Sequence, residues 1–547
     1  MIPNLLDRVG DWNPQLFREL KGRLKPRNVI IAVAISLVGQ LLLLLFFYTQ
    51  LPFDRDYSEY CIRPAYGKCL KDSAGNLLIT WSEWWQDLFT TFCCVSICIL
   101  LVAGTYMLIS DLSQEERRAT LNFLRLSPRS EINILTGKVL GVPILLYLAA
   151  VLTVPLQLWA GLAAGISLAK ILSFWAIVVA SCLFFYSAAL FCSLISGGRG
   201  GFLPWLGSGA VFLFLMLMLS FATNVTPVNS PFAWLRLFSP FDSIFYLFSN
   251  SEGYGHEWFN LRWYYLPVGA SKVNLVGLTL LNYGLWTYWI WQSLQRCFRN
   301  PNATILSKGQ SYLLVACFEL VILGFALQDP GNTELYDFEN NLAMLSIFNL
   351  VVLFGLIALM SPQRQTLQDW ARYNKLKTRH KTLVPDLVWG EKSPAVVAMA
   401  INLAIATTPL VLWILLQAVE KIDKTKVLFA VAFFVSWILI YASIVQLMLM
   451  MKTPKRSLWA FGTVAAIICL PPIILGILAI SPYENPALWL FSSFPWVGLE
   501  HGAATTVFLA LLGQGIVLIL LNLQLTRQLK QAGESTTKAL LSQGTSK

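Results

Sequence analysis

Long apolar runs separated by short polar loops dominate this chain of 547 residues. Each run approaches the ~20 consecutive residues that a membrane-spanning helix needs. The pattern therefore predicts an all-α, polytopic membrane protein with about twelve transmembrane helices, an even number that returns both ends of the chain to one side. The runs lie at 28–50, 87–110, 139–163, 171–195, 203–222, 271–292, 310–328, 340–360, 395–418, 427–451, 457–480 and 501–525.

The composition indicates that lipid is the main solvent of the chain. Hydrophobic residues make up 56% of it and charged residues 13%, whereas soluble domains carry about 25% charged residues. The mean hydropathy is +0.62. Residues 1–27 are polar and basic, which is not the pattern of a cleavable signal peptide.

The net charge of +11 is concentrated in loops on one side of the predicted spans. By the positive-inside rule, basic loops lie in the cytoplasm. We therefore expect a multi-pass protein of the cell (plasma) membrane, with both termini cytoplasmic and with lipid, not nucleic acid, facing the basic charge. The basic loops are 111–138, 296–309, 361–394 and 452–456, and the acidic ones are 51–86, 329–339 and 481–500.

A set of landmarks recurs in the two halves of the chain. Polar segments begin at Ser110 and Ser361, an offset of 361 − 110 = 251, and aromatic-rich segments carry Pro240 and Pro495, an offset of 495 − 240 = 255. The near-constant offsets predict two parallel six-helix units, 1–300 and a diverged 301–547, as is common among transporters. Each unit also opens on a similar pattern before its first span, Asn13-Pro14 with Lys21-Gly22 and Asn300-Pro301 with Lys308-Gly309.

Two of the ten cysteines, Cys61 and Cys69, fall in a polar loop that the charge pattern places outside. A disulfide between them suits an oxidising compartment, and two free thiols are the equal alternative. No Cys/His cluster has the spacing of a zinc site, so no metal is expected.

Residues 111–138 are the stretch most informative about function. Four charges, Glu115 to Arg118, stand where the second span ends, and Leu121 and Leu124 give an apolar face to a short helix after them. Ser127-Pro128 ends that helix, because proline cannot continue it. The pattern predicts two short helices on the inner membrane surface, and an amphipathic loop resting on the headgroups is the alternative.

This stretch resembles the cytoplasmic segment of ABC-2 type permeases, the membrane subunits of type-2 ABC transporters. The shared features occur in the family's order, although Asn122-Phe123 stands where the family commonly has an acid. The opening residues 11–26 also resemble that family's elbow helix. The matching residues are Glu115, Glu116, Arg117, Arg118, Thr120, Leu121, Leu124, Ser127, Pro128, Gly137 and Lys138 in the coupling segment 111–138, and Asn13, Pro14, Arg18, Glu19, Lys21 and Arg23 in the elbow.

The resemblance implies a permease that exports a hydrophobic or amphipathic substrate and binds no cofactor. ATP and Mg²⁺ would bind to two separate ABC ATP-binding subunits, and the chain itself has no GxxxxGK[ST] phosphate loop. It is then not itself an enzyme. One chain would form the whole membrane part as a pseudo-dimer, with a homodimer of chains as the alternative.

Glu319 is the acid expected deepest inside a span, which makes it a candidate pathway residue or a neutral structural glutamate. A second class of function is therefore an ion- or proton-coupled secondary carrier, which would need more intramembrane acids or broken helices.

Overall fold

The computed structural model describes residues 8–52, 60–62, 69–72, 77–197, 201–224, 228–248, 255–300, 303–328, 335–376, 383–417 and 423–533. It confirms the predicted all-α class for these residues, among which only isolated β-bridges occur and no strand is formed. Eleven helices of the described residues are long and apolar enough to cross a membrane, so the chain is a polytopic membrane protein.

The structure divides into two compact units, Met1–Arg299 and Asn300–Lys547. In the first, a short helix α1 precedes the spans, and the second span contains a π-helical turn at Ile99–Ala103 between α3 and α4. The helices of this unit are α1 Pro14–Arg23, α2 Pro26–Thr49, α3 Trp81–Cys98, α4 Gly104–Arg117, α5 Thr120–Leu126, α6 Glu131–Gly141, α7 Ile144–Ala163, α8 Leu168–Ser196, α9 Leu203–Thr223, α10 Phe232–Arg236, α11 Pro240–Phe248 and α12 Lys272–Arg299.

The second unit has the same order of long and short helices after its first span. Its helices are α13 Lys308–Ala326, α14 Leu335–Met360, α15 Arg364–Leu376, α16 Leu383–Trp389, α17 Val396–Leu416, α18 Lys424–Leu449, α19 Arg456–Ile477, α20 Pro486–Leu490, α21 Pro495–Leu499 and α22 Ala504–Ala532. In both units two short helices follow the second span and two more precede the last long helix. Pro240 begins α11 and Pro495 begins α21, the helices directly before the last long helix of each unit.

The same helix pairings also form in each unit. The first and third spans pack together, as α2 with α7 and as α13 with α17. The fourth span packs against the last long helix, as α8 with α12 and as α18 with α22. Helix α8 is the centre of the first unit, since 61% of its most apolar 18-residue stretch is buried, compared with 6% for α2.

Two sequence expectations differ from the structure. The predicted span at 271–292 forms the 28-residue helix α12, but this helix is not among those apolar enough to qualify as a span, because Asn274, Asn282 and several Trp and Tyr residues lower its mean hydropathy. The opening landmarks also occupy different places: Lys21-Gly22 lies within α1, whereas Lys308-Gly309 begins the span α13 directly after the capping residue Ser307. Pro301 lies outside the described residues.

Candidate functional site

The candidate site is the junction of α1, the end of α4, and α6. Asn13 caps α1, its Oδ1 accepting from the Leu16 amide at 3.0 Å. The same side chain donates to the carbonyl oxygen of Asn133 at 2.7 Å, which attaches the start of α1 to α6. A polar cap residue is thus shared between a helix terminus and its neighbour, a use for which asparagine is well suited because it both accepts and donates.

Two glycines let α1 approach α6 closely. Gly137 and Gly141 are four residues apart and therefore lie on one face of α6. A Cβ on Gly137 would stand 2.8 Å from the Leu16 amide nitrogen, and one on Gly141 would stand 2.5 Å from the Cβ of Glu19. No side chain fits at these distances, so the two glycines set the spacing between the helices.

Six charged side chains meet at this junction, and we call them the charge cluster: Arg18, Glu19, Arg23, Asp111, Glu115 and Lys138. Lys138 is the centre, with 1% of its side chain exposed. Its Nζ lies 2.6 Å from Asp111 Oδ2, 2.8 Å from Glu115 Oε2 and 3.4 Å from Glu19 Oε1.

The two arginines of α1 complete the charge cluster. Arg23 contacts Asp111 Oδ1 at 2.6 Å and Glu19 Oε2 at 3.2 Å, and Arg18 forms an ion pair with Glu115. The cluster thus contains three carboxylates and three cations, so its formal net charge is zero. Arg18 and Arg23 of the elbow therefore both pair with acids of the chain itself.

Electrostatics keep Lys138 charged despite its burial. Burial alone lowers the pKa of its ammonium group, but Asp111, Glu115 and Glu19 outweigh that effect, so the pKa is raised above 10.5. The oxygens of the three acids lie within 4.8 Å of one another, a spacing that suits a metal ion. The ammonium group contacts all three acids and therefore takes the place that such a cation would occupy.

The remaining residues of the coupling segment point elsewhere. Glu116 and Arg117 lie near Gly197 and Gly201, the turn between α8 and α9, and Arg118 is exposed. Thr120 donates to the Glu115 carbonyl at 3.1 Å. Ser127-Pro128 separates α5 from α6, and Ser130 caps α6.

Two residues of the elbow also lie outside the charge cluster. Pro14 occupies the first turn of α1, and Lys21 is exposed beside Phe17.

Helix α5 buries one side and exposes the other. Leu121 is 1% exposed and Leu124 is partly buried, while Arg125 Nε donates to the Phe298 carbonyl at 2.9 Å and so attaches α5 to α12. Phe123 and Leu126 are 76% and 83% exposed. The sequence pattern identified the buried face but not this apolar exposed one.

Three other features lie apart from the charge cluster. Cys61 and Cys69 form a disulfide. Glu319 is 4% exposed in the interior of α13. Arg236 and Asp242 form a fully buried ion pair that sequence reasoning missed, and Trp258 Nε1 donates to Asp242 at 3.1 Å. Burial raises the pKa of Asp242 to about 6, although Arg236 opposes the shift.

No family model, curated protein or solved structure matches this chain. The function of this membrane protein therefore stays a proposal that depends on the site and on the sequence pattern.

Proposed function

We propose that this chain is the membrane-spanning permease subunit of an ATP-driven ABC transporter, acting with separate ATP-binding subunits. The charge cluster is the observation that carries the proposal. It connects α1, which leads into the span α2, with the end of the span α4 and with α6, which leads into the span α7. Force applied to α5 and α6 from the cytoplasm would therefore reach three spans together.

The exposed side of α5 is suited to a partner. Phe123 and Leu126 form an apolar tip, and Arg118 and Arg129 are exposed on either side of it. Apolar anchors in a basic surround complement an apolar groove with an acidic rim, and such complementarity favours specific docking. ATP and Mg²⁺ would bind to that partner, since the chain has no phosphate loop of its own.

The two units support a pseudo-dimer in which one chain forms the whole membrane part. The repeated order of helices and the repeated pairings favour two six-helix halves. Counting α12 as a span brings the eleven qualifying helices to twelve. The halves differ at the surface. Leu367 of α15 is buried with Met450 and Leu525 of the same unit, so α15 is already packed against α22. We expect the second unit to couple weakly, or to a non-identical ATPase.

The cargo is proposed to be hydrophobic or amphipathic, and its direction outward. In several long helices little of the most apolar stretch is buried within the units, only 6% in α2 and 11% in α19. Apolar surface of this kind is compatible with cargo that enters sideways from the lipid.

Purification from native membranes through an affinity tag on this chain tests the proposal. We expect a chain with a GxxxxGK[ST] loop to co-purify, with ATPase activity in the complex and a mass of one permease to two ATP-binding subunits. The double variant Phe123→Asp/Leu126→Asp should lose the ATPase chain and keep its thermal stability, because both side chains are largely exposed.

Tyr483→Asp is the matched control, an exposed aromatic residue in a loop predicted to lie outside. It should retain the ATPase chain. Retention of that chain by the α5 double variant would reject α5 as the docking element. Two permease chains per two ATP-binding subunits would reject the pseudo-dimer in favour of a homodimer.

An ion- or proton-coupled secondary carrier is the second candidate. The observation favouring it is Glu319, an acid buried inside a span with 4% of its surface exposed. Absence of any ATP-binding chain from the purified complex, together with transport driven by an ion gradient alone, would support this candidate.

A further inference from the structure

Glu319 lies well inside the span α13. It follows Lys308, the first residue of that helix, by 319 − 308 = 11 residues and precedes Ala326, the last, by 326 − 319 = 7. At 1.5 Å per residue, the nearer end is about 10 Å away. The side chain is 4% exposed. A carboxylate at such a depth is costly unless it is neutralised, paired or hydrated.

Asn349 of the neighbouring span α14 lies beside the Glu319 carboxyl group. It is 3% exposed. Three buried atoms of this pair have no hydrogen-bond partner of good geometry among the described residues: Asn349 Oδ1, Asn349 Nδ2 and Glu319 Oε1. Buried polar atoms are normally bonded, so three such atoms on two neighbouring side chains require a physical explanation.

The described helices that pack closely against α13 provide no cation for the Glu319 carboxylate. The three helices that pack closely against it, α14, α16 and α17, contain no Lys, Arg or His. Lys308 is about 16 Å away along the helix, and its Nζ already donates to Leu387 O at 2.6 Å and Pro394 O at 3.1 Å. The other titratable groups on these helices are Tyr312 and Cys317 on α13, Tyr336, Asp337 and Glu339 at the start of α14, and Asp386 on α16.

The first unit shows that a span of this kind needs no acid to hold its neighbours. Gln40 of α2 is buried to a similar degree, with 9% exposed. Its Nε2 donates to Ser36 Oγ at 3.1 Å and to the Leu152 carbonyl of α7 at 3.4 Å. A neutral amide is therefore sufficient to hydrogen-bond two neighbouring spans. The presence of an acid at Glu319 needs another explanation.

We propose that Glu319 and Asn349 form a proton-binding site within the membrane. The bound proton makes the carboxyl group neutral, its O–H donates to Asn349 Oδ1, and Asn349 Nδ2 donates to the remaining carboxyl oxygen. All three unbonded atoms are satisfied in that arrangement. When water reaches the site, the O–H bond breaks, the proton passes to water and a carboxylate remains. The site is independent of what drives transport, so it stands or falls separately from the proposed function.

Infrared spectroscopy of the purified protein in lipid vesicles tests the site. At pH 7 the spectrum of the unsubstituted protein minus that of Glu319→Gln should contain the C=O stretch of a protonated carboxylic acid. Glu339→Gln is the matched control: this acid on α14 is exposed, and its difference spectrum should show carboxylate bands instead. Asn349→Leu should keep the acid band and shift its frequency, because the hydrogen bonds to the carboxyl group are lost.

A carboxylate band for Glu319 at pH 7 would overturn the proposal. Stabilisation of the unsubstituted protein by Na⁺, lost in Glu319→Gln, would also overturn it, since a metal cation would then occupy the site. Asn349→Leu retains the glutamate, so the shift of its acid band tests the site even where Glu319→Gln fails to fold.

Discussion

Lys138 shows how much one side chain contributes at the junction of α1, α4 and α6. Its ammonium group is buried and contacts three carboxylates that belong to two other helices. Removing one partner of a buried ion pair typically costs about 3–5 kcal/mol, because the other partner is left charged and uncompensated. The cluster as a whole contributes less than its contacts suggest, since Lys138 and the three acids around it lose hydration when it forms.

Lys138→Met is therefore expected to lower the free energy of unfolding by about 3 kcal/mol, measured in mixed micelles. Lys21→Met is the control, because Lys21 is exposed and its Nζ lies 5.8 Å from the centre of the Phe17 ring, so its effect should stay within about 0.5 kcal/mol. Adding Glu115→Gln to Lys138→Met should recover part of the loss. Equal losses for Lys138→Met and Lys21→Met would contradict the central role of Lys138.

The pH dependence of this effect has a definite sign. The folded-state pKa of Lys138 is raised above 10.5, the value taken for the free side chain. The stabilisation is then fully present below pH 10.5 and is lost only as pH rises through the higher folded-state pKa. The stability difference between the unsubstituted protein and Lys138→Met should therefore be constant from about pH 7 to pH 9.

At the scale of elements, α1 and α6 are short helices that depend on each other for their position. The two helices pack closely against each other, and short helices gain most of their stability from tertiary packing. The close approach at Gly137 and Gly141 lets the backbone and the charges of α1 reach α6 directly. The elbow and the coupling segment thus form one structural piece.

Gly141→Leu should separate α1 from α6 and disrupt the charge cluster, because a Cβ at that position would stand 2.5 Å from Glu19 Cβ. We expect faster proteolysis within 8–25 and a lower melting temperature. Gly39→Leu is the control, since Gly39 of α2 has no atom within 4 Å of an added Cβ and should accept leucine. Unchanged proteolysis of Gly141→Leu would mean that α1 can shift without loss.

The sequence predicted the positions of these elements better than it predicted the contacts between them. Apolar length alone located the long helices, with ends that differ by up to about seven residues, since a bilayer imposes a minimum length on every crossing helix. The charged elbow and the Ser-Pro break were also readable. Asp111 was not singled out, although its spacing of four from Glu115 places both acids on one helix face. The contacts of Lys138 depend on helices 27 and 119 residues away, and local patterns do not encode such contacts.

At the scale of the whole molecule, every functional assignment depends on which face of the membrane is cytoplasmic. Charge asymmetry between loops predicts that the charge cluster and α5 lie inside and the Cys61–Cys69 loop outside. A disulfide in that loop agrees with the orientation, because an oxidising compartment lies on the outer side.

Single cysteines tested with a membrane-impermeant reagent should report this orientation. Substitutions at Asp72 and Tyr336 should label from outside, and those at Arg118 and Lys530 should label only after the membrane is opened; all four positions are exposed. Signal from the native free cysteines is subtracted with the unsubstituted protein. Labelling of Arg118→Cys in sealed cells would invert the topology and remove the basis for cytoplasmic coupling.

The equal numbers of acids and bases in the charge cluster bear on how this protein can change over evolutionary time. A lone exchange at Lys138 or at one of the three acids around it leaves a surplus of one sign in a poorly hydrated place. Divergent descendants should therefore alter the positions of Asp111 and Lys138 in the same lineages, swapping or neutralising both, while the exposed Lys21 drifts alone. Covariation between those two positions, 27 residues apart in the chain, would be the trace of this constraint in related genomes.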